Sequence, residues 1–94
     1  MRRAARVDAN HAEVVAVLRA CGWYVLDTSR VGGGFVDCIA AKHGVVRFIE
    51  IKDGTKPLSA QALTKPEATL HGHFAAAGVP VRLVRSVAEA LALE

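Results

Sequence analysis

The fold is decided by residues 32–54, GGGFVDCIAAKHGVVRFIEIKDG. Two strand-forming runs, FVDCIAAK (35–42) and VVRFIEIK (45–52), flank the turn Lys42-His43-Gly44. Branched and apolar residues on either side of a short turn predict an antiparallel hairpin. Three glycines, Gly32, Gly33 and Gly34, precede it and predict a loop with wide backbone freedom. Alternation along a strand puts Glu50 and Lys52 on one face, about 7 Å apart. Hairpin pairing lets Asp37 lie beside Glu50. These charges stand in apolar company: Val36 and Cys38 flank Asp37, and Ile49 and Ile51 flank Glu50.

Upstream, a helix is predicted from about Ala9 to Cys21. Asn10 and Glu13 have capping-box spacing, Val14, Val17, Leu18 and Cys21 recur at helical spacing, and Gly22 stands where a terminating glycine belongs. WYVLDT (23–28) predicts a first strand. Downstream, residues 53–57 form a turn and loop that extends as far as Gln61. Thr64 and Glu67 make a capping box with Pro66 in the first turn, opening a helix from about Lys65 to Ala77. Residues 80–85 predict a fourth strand. Ser86 and Glu89 cap a short last helix. The expected order is αβββαβα, an α/β domain over residues 1–94 with a small mixed sheet flanked by helices and a flexible basic tail over residues 1–7.

The chain has 94 residues, 52% of them apolar and 5% aromatic, so a modest core of small aliphatic side chains is expected and disorder is not. No run approaches the ~20 apolar residues of a membrane span, and the basic start lacks the apolar stretch of a signal peptide. Cys21 and Cys38 read as reduced core residues rather than a disulfide or zinc framework, and the expected location is the cytoplasm. The net charge of +3 is mildly basic and compatible with an acidic polymer such as DNA.

Adjacent buried carboxylates repel unless a cation lies between them. Hard oxygen ligands suit Mg²⁺ or Mn²⁺, which activate water and stabilise phosphate charge. An E-x-K pair alone is common on exposed strand edges, and an aspartate in an apolar strand can be satisfied by a backbone amide. Asp37 at hairpin distance from Glu50 and Lys52, with the glycine lead-in, strengthens the chemical reading and leaves these alternatives open.

These residues resemble the core of the PD-(D/E)XK nucleases: G-x-x-D, a hairpin turn, then E-x-K. The later segments KPLSAQALTKPEATLHGHF and VPVRLVRSVAEAL resemble the small VRR-NUC-like nucleases of phages, so the likeness spans roughly residues 8–92. Val36 stands where the superfamily name has proline, and Leu70 or Phe74 where relatives often carry tryptophan. The resemblance implies a restriction-endonuclease-like fold. It implies Asp37 and Glu50 as metal ligands together with the Ile51 carbonyl, Lys52 as the catalytic lysine, and Glu13 at a second metal or a metal-bound water. Glu13 equally suits its capping role. Gln61, Glu67 and His71 compete for a polar position near the site. The implied activity is Mg²⁺- or Mn²⁺-dependent cleavage of branched or structured DNA, in the manner of a Holliday-junction resolvase. The alternative is a non-catalytic nucleic-acid-binding module on a nuclease fold. Candidate DNA contacts are Arg30, Gly33, Gly34, Lys56, Gln61 and Lys65, with Arg2, Arg3 and Arg6 of the tail. One site per chain and the need for two cuts imply a homodimer, with residues 81–93 contributing apolar surface.

Overall fold

The computed structural model describes residues 8–94, so the expected basic tail, with Arg2, Arg3 and Arg6, lies outside the described residues. The elements run α1 (His11–Ala20), β1 (Tyr24–Asp27), β2 (Cys38–Lys42), β3 (Val45–Ile51), α2 (Leu58–Gln61), α3 (Lys65–Ala76), β4 (Arg82–Val84) and α4 (Val87–Leu91). The four strands form one mixed sheet in the order β1-β2-β3-β4. The first three are an antiparallel meander, and β4 joins parallel to β3 after the α3 crossover.

The hairpin is as expected. Lys42 pairs with Val45, and the two turn residues, His43 (φ 50) and Gly44 (φ 78), both take the positive φ that a tight two-residue turn demands. Helix α1 ends as predicted at Gly22 (φ 94), where the Trp23 and Gly22 amides donate to the Leu18 and Arg19 carbonyls.

Four expectations are corrected. The strands are shorter than read: β1 covers four residues, β2 begins at Cys38 rather than Phe35, and β4 covers three. The glycine run explains the late start of β2. Gly32, Gly33 and Gly34 all have positive φ, so the chain enters the sheet from a left-handed turn and extends only after Asp37. Second, residues 58–61, read as loop, form the short helix α2, adding an element to the expected order. Third, the Asn10–Glu13 capping box is not made. The Asn10 side chain instead donates to the carbonyls of Lys52 (3.1 Å) and Arg85 (3.2 Å), tying α1 to the ends of β3 and β4. Fourth, within residues 81–93 Val84 and Ala90 are buried in this chain's own core and Leu93 packs partly against it, while Leu91 stays exposed.

Helices α1 and α4 pack together on one sheet face. Their Val14, Val15, Leu18 and Ala90 meet Val25, Cys38, Ala40, Ile49, Ile51 and Val84 from the strands. By alternation, Phe48, Glu50 and Lys52 project from the opposite face of β3, where α3 lies. Three contacts join α3 to β3 in step. Phe74 meets Phe48 edge-to-face at 5.0 Å, His71 reaches Glu50, and Glu67 reaches Lys52. No residue of α3 is fully buried, so this helix is attached to the sheet chiefly through the polar end of β3.

Candidate active site

Asp37 stands at the mouth of β2, one residue before its first paired position, opposite Glu50. Its amide donates to the Ile49 carbonyl (3.0 Å), its carbonyl accepts from Thr28 (2.9 Å), and its Oδ2 accepts from the Ile51 amide (2.7 Å). The neighbouring Thr28 hydroxyl, itself buried, donates to the Val36 carbonyl at 2.7 Å. Backbone and side chain of Asp37 are thus both fixed. The resemblance implies the Ile51 carbonyl as a further ligand, and the Ile51 amide is the group that holds the Asp37 carboxylate.

Glu50 is 2% exposed. Burial pushes its carboxyl up to about 9, with the hydrogen bond and negative charge of Asp37 adding to the shift and Lys52 opposing it. Its Oε1 lies 3.4 Å from His71 Nε2. Burial lowers the His71 pKa below its ordinary value. At neutral pH both partners are therefore neutral, and the contact is a hydrogen bond, not an ion pair. Two carboxylates brought together in a dry site keep a proton between them unless a cation replaces it.

Lys52 is 8% exposed, and its Nζ donates to Glu67 Oε1 at 2.9 Å. Burial alone would lower the ammonium pKa. The hydrogen bond and charge of Glu67, with Glu50 and Asp8 adding to them, outweigh this and raise it. The same Glu67 oxygen accepts from the Thr64 amide (2.9 Å), while the Glu67 amide donates to Thr64 Oγ1 (3.3 Å). The predicted capping box of α3 is therefore made, and one carboxylate both starts the helix and holds the lysine. Burial favours the neutral form of Glu67, yet the Thr64 amide and the Lys52 ammonium keep its pKa below the ordinary value.

Asp37, Glu50, Lys52 and Glu67 open onto one cleft of about 660 Å³, together with Asp8 and Lys56. Asp8 was missed by sequence reasoning. It precedes α1 in a turn closed by its own carbonyl and the His11 amide (3.0 Å), and its carboxylate lies 3.8 Å from Lys56 Nζ. An acidic residue just ahead of the helix is the available signal for Asp8, whereas the resemblance implies Glu13. Glu13 is exposed and does not line the cleft.

The remaining candidates divide. Lys56 lines the cleft. Gln61 does not; its Nε2 donates to the Lys56 carbonyl at 2.7 Å and steadies that loop. Lys65 and Arg30 are exposed and stand outside the cleft lining. Gly33 is open to solvent, whereas Gly34 is packed against α3: a Cβ there would lie 2.6 Å from Pro66 C and Cβ. Close approach to Pro66 and a positive φ both require glycine there.

Among the described residues no group of three or more His, Cys, Asp or Glu side chains is placed to hold a metal ion. The pair Asp37–Glu50 fits a Mg²⁺ site, since that ion commonly uses one or two carboxylates and keeps waters for the remaining positions. No family model matches this chain, and neither does any curated protein.

Proposed function

We propose that this chain is a Mg²⁺- or Mn²⁺-dependent nuclease that hydrolyses phosphodiester bonds in branched or structured DNA, built on a restriction-endonuclease-like core. The observation that carries the reading is the pairing of Asp37 with a Glu50 that is 2% exposed, beside Lys52 in one open cleft. Burying a carboxylate beside another is unfavourable for folding, and a cation-binding role accounts for it. The order α1, three-stranded meander, crossover helix and parallel β4 supports the same reading.

In this scheme Asp37 and Glu50 hold the ion. When bound, it supplies Lewis-acid stabilisation of the phosphate and a more acidic water. The Ile51 amide keeps Asp37 in orientation. Lys52 presents its ammonium to the phosphate and the attacking water, and Glu67 sets the position of that ammonium. Lys56 at the cleft rim attracts the polyanion. The active species is a homodimer, which gives two sites for paired cuts; sedimentation velocity with and without a four-way junction reports it.

Calorimetric titration with Mn²⁺ tests the site apart from turnover. Binding by the wild type that is lost in Asp37→Ala supports it. Failure of the wild type to bind Mn²⁺ removes the basis of the proposal.

A further inference from the structure

Beside the cleft, on the other flank of the first turns of α3, lies a second recess of about 490 Å³, lined by Gly33, Pro66, Thr69, Leu70, His73 and Phe74. Its walls are apolar except for Thr69 and His73. Pro66 lines the recess and the next residue, Glu67, lines the cleft, so the first turn of α3 is a wall common to both. Gly34 is wedged against that wall, and the Phe74 ring is braced by Phe48 at 5.0 Å.

Its surroundings point to the occupant. Exposed Lys65 directly precedes Pro66, and exposed Arg30 precedes the glycine turn. Neither pairs with a carboxylate among the described residues. Gly33, which lines the recess and is exposed, donates its amide to no backbone carbonyl among the described residues. An apolar recess with an unengaged amide in its lining, and with exposed cations at Lys65 and Arg30 a few residues along the chain from that lining, fits a flat apolar body attached to phosphate, which describes a nucleotide.

We propose that this recess seats an unpaired nucleobase of the strand whose phosphate occupies the neighbouring cleft, an inference that rests on the nuclease reading above. A base inside a duplex is paired and stacked on both faces and cannot enter; a base at a flap, gap or junction can. Stacking of one base against such a wall changes affinity by about 5- to 100-fold. The recess thereby selects DNA carrying an unpaired nucleotide next to the cut.

The test uses Lys52→Met protein in Mg²⁺, so that DNA is bound and not consumed, and fluorescent single-stranded octanucleotides with one abasic position moved along the strand. Fluorescence anisotropy should show one position where loss of the base weakens binding at least about 5-fold, with little effect elsewhere. Adding Leu70→Asn or His73→Glu should weaken binding of the intact strand to the same degree and abolish sensitivity to that position. His73 is exposed, so its variant carries the test if Leu70→Asn fails to fold. Equal effects at every position, or variants that keep the position dependence, overturn the proposal. So do variants that change the sedimentation of the free protein, which would put a second copy of the chain in the recess. If wild-type protein cuts DNA without position dependence, this proposal alone fails. If no strand binds and no DNA is cut, the nuclease reading fails with it.

Discussion

Replacing Glu50 by glutamine should make the metal-free protein more stable while removing its activity. Glu50 is nearly isosteric with glutamine, is 2% exposed, and has its carboxyl pushed from 4.5 to about 9 by burial and by Asp37. A folded-state pKa above the unfolded value means that the Glu50 contribution to stability is fully present below about 4.5 and is lost as the pH rises toward about 9. Between pH 4.5 and 7 the unfolded chain gains by ionising and the folded chain does not. At 1.36 kcal/mol per unit this costs the wild type up to about 3 kcal/mol at pH 7. Glutamine does not titrate and escapes the cost. In a domain of this size the gain corresponds to a rise in Tm on the order of 10–20 °C. Thermal unfolding in EDTA at pH 5, 7 and 8.5 reads it: the two proteins should converge at pH 5 and separate progressively above it. Saturating Mn²⁺ should raise the Tm of the wild type and leave Glu50→Gln unmoved. Equal stability of the two proteins across this range, in the absence of metal, would refute the placement of Glu50 beside a second carboxylate in a dry site.

Lys52→Met keeps much of the side-chain length and loses the charge. Mn²⁺ binding should persist in calorimetry, while single-turnover cleavage falls by a factor on the order of 10²–10⁴. Gly34→Ala should destabilise the protein and detach the start of α3, because its Cβ would lie 2.6 Å from Pro66. Gly33→Ala, with nothing within 4 Å, should cost only about 1–2 kcal/mol for its left-handed backbone; denaturant unfolding and hydrogen exchange over α3 separate the two. Burial of Asp27 favours its neutral form, but the Ser29 and His11 hydrogen bonds outweigh this and bring its pKa to about 2. Its stabilising contribution is thus present above 3.8 and lost as the pH falls through about 2. Asp27→Asn should flatten acid unfolding in that window, followed by circular dichroism.

The hairpin and its charges were legible because their signals are local. Lys42-His43-Gly44 names its own turn, and alternation places Glu50 and Lys52 on one face whatever else the chain does. Thr64, Pro66 and Glu67 also announce a helix start within four residues. What the sequence could not display is use of a side chain at long range. Asn10 has the spacing of a helix cap, yet its amide is taken by the Lys52 and Arg85 carbonyls. Glu67 reads as a cap and is one, but its pairing with Lys52 depends on how α3 crosses β3. Asp8 lines the cleft and Glu13 does not because the turn at residues 8–11 leaves Asp8 ahead of α1, beside Lys56, while Glu13 is exposed on the helix. Local propensity carries no information about that choice.

The proposed reaction is metal-dependent phosphodiester cleavage at Asp37, Glu50 and Lys52. The most direct measurement incubates the purified chain with duplex, flap and four-way DNAs in Mg²⁺, Mn²⁺ or EDTA, beside Asp37→Ala and Glu50→Ala. The prediction is cleavage that requires the metal, favours the branched substrates and disappears in both variants. Variants that cut at the wild-type rate, or wild-type protein that binds Mn²⁺ and leaves every substrate intact, would contradict it.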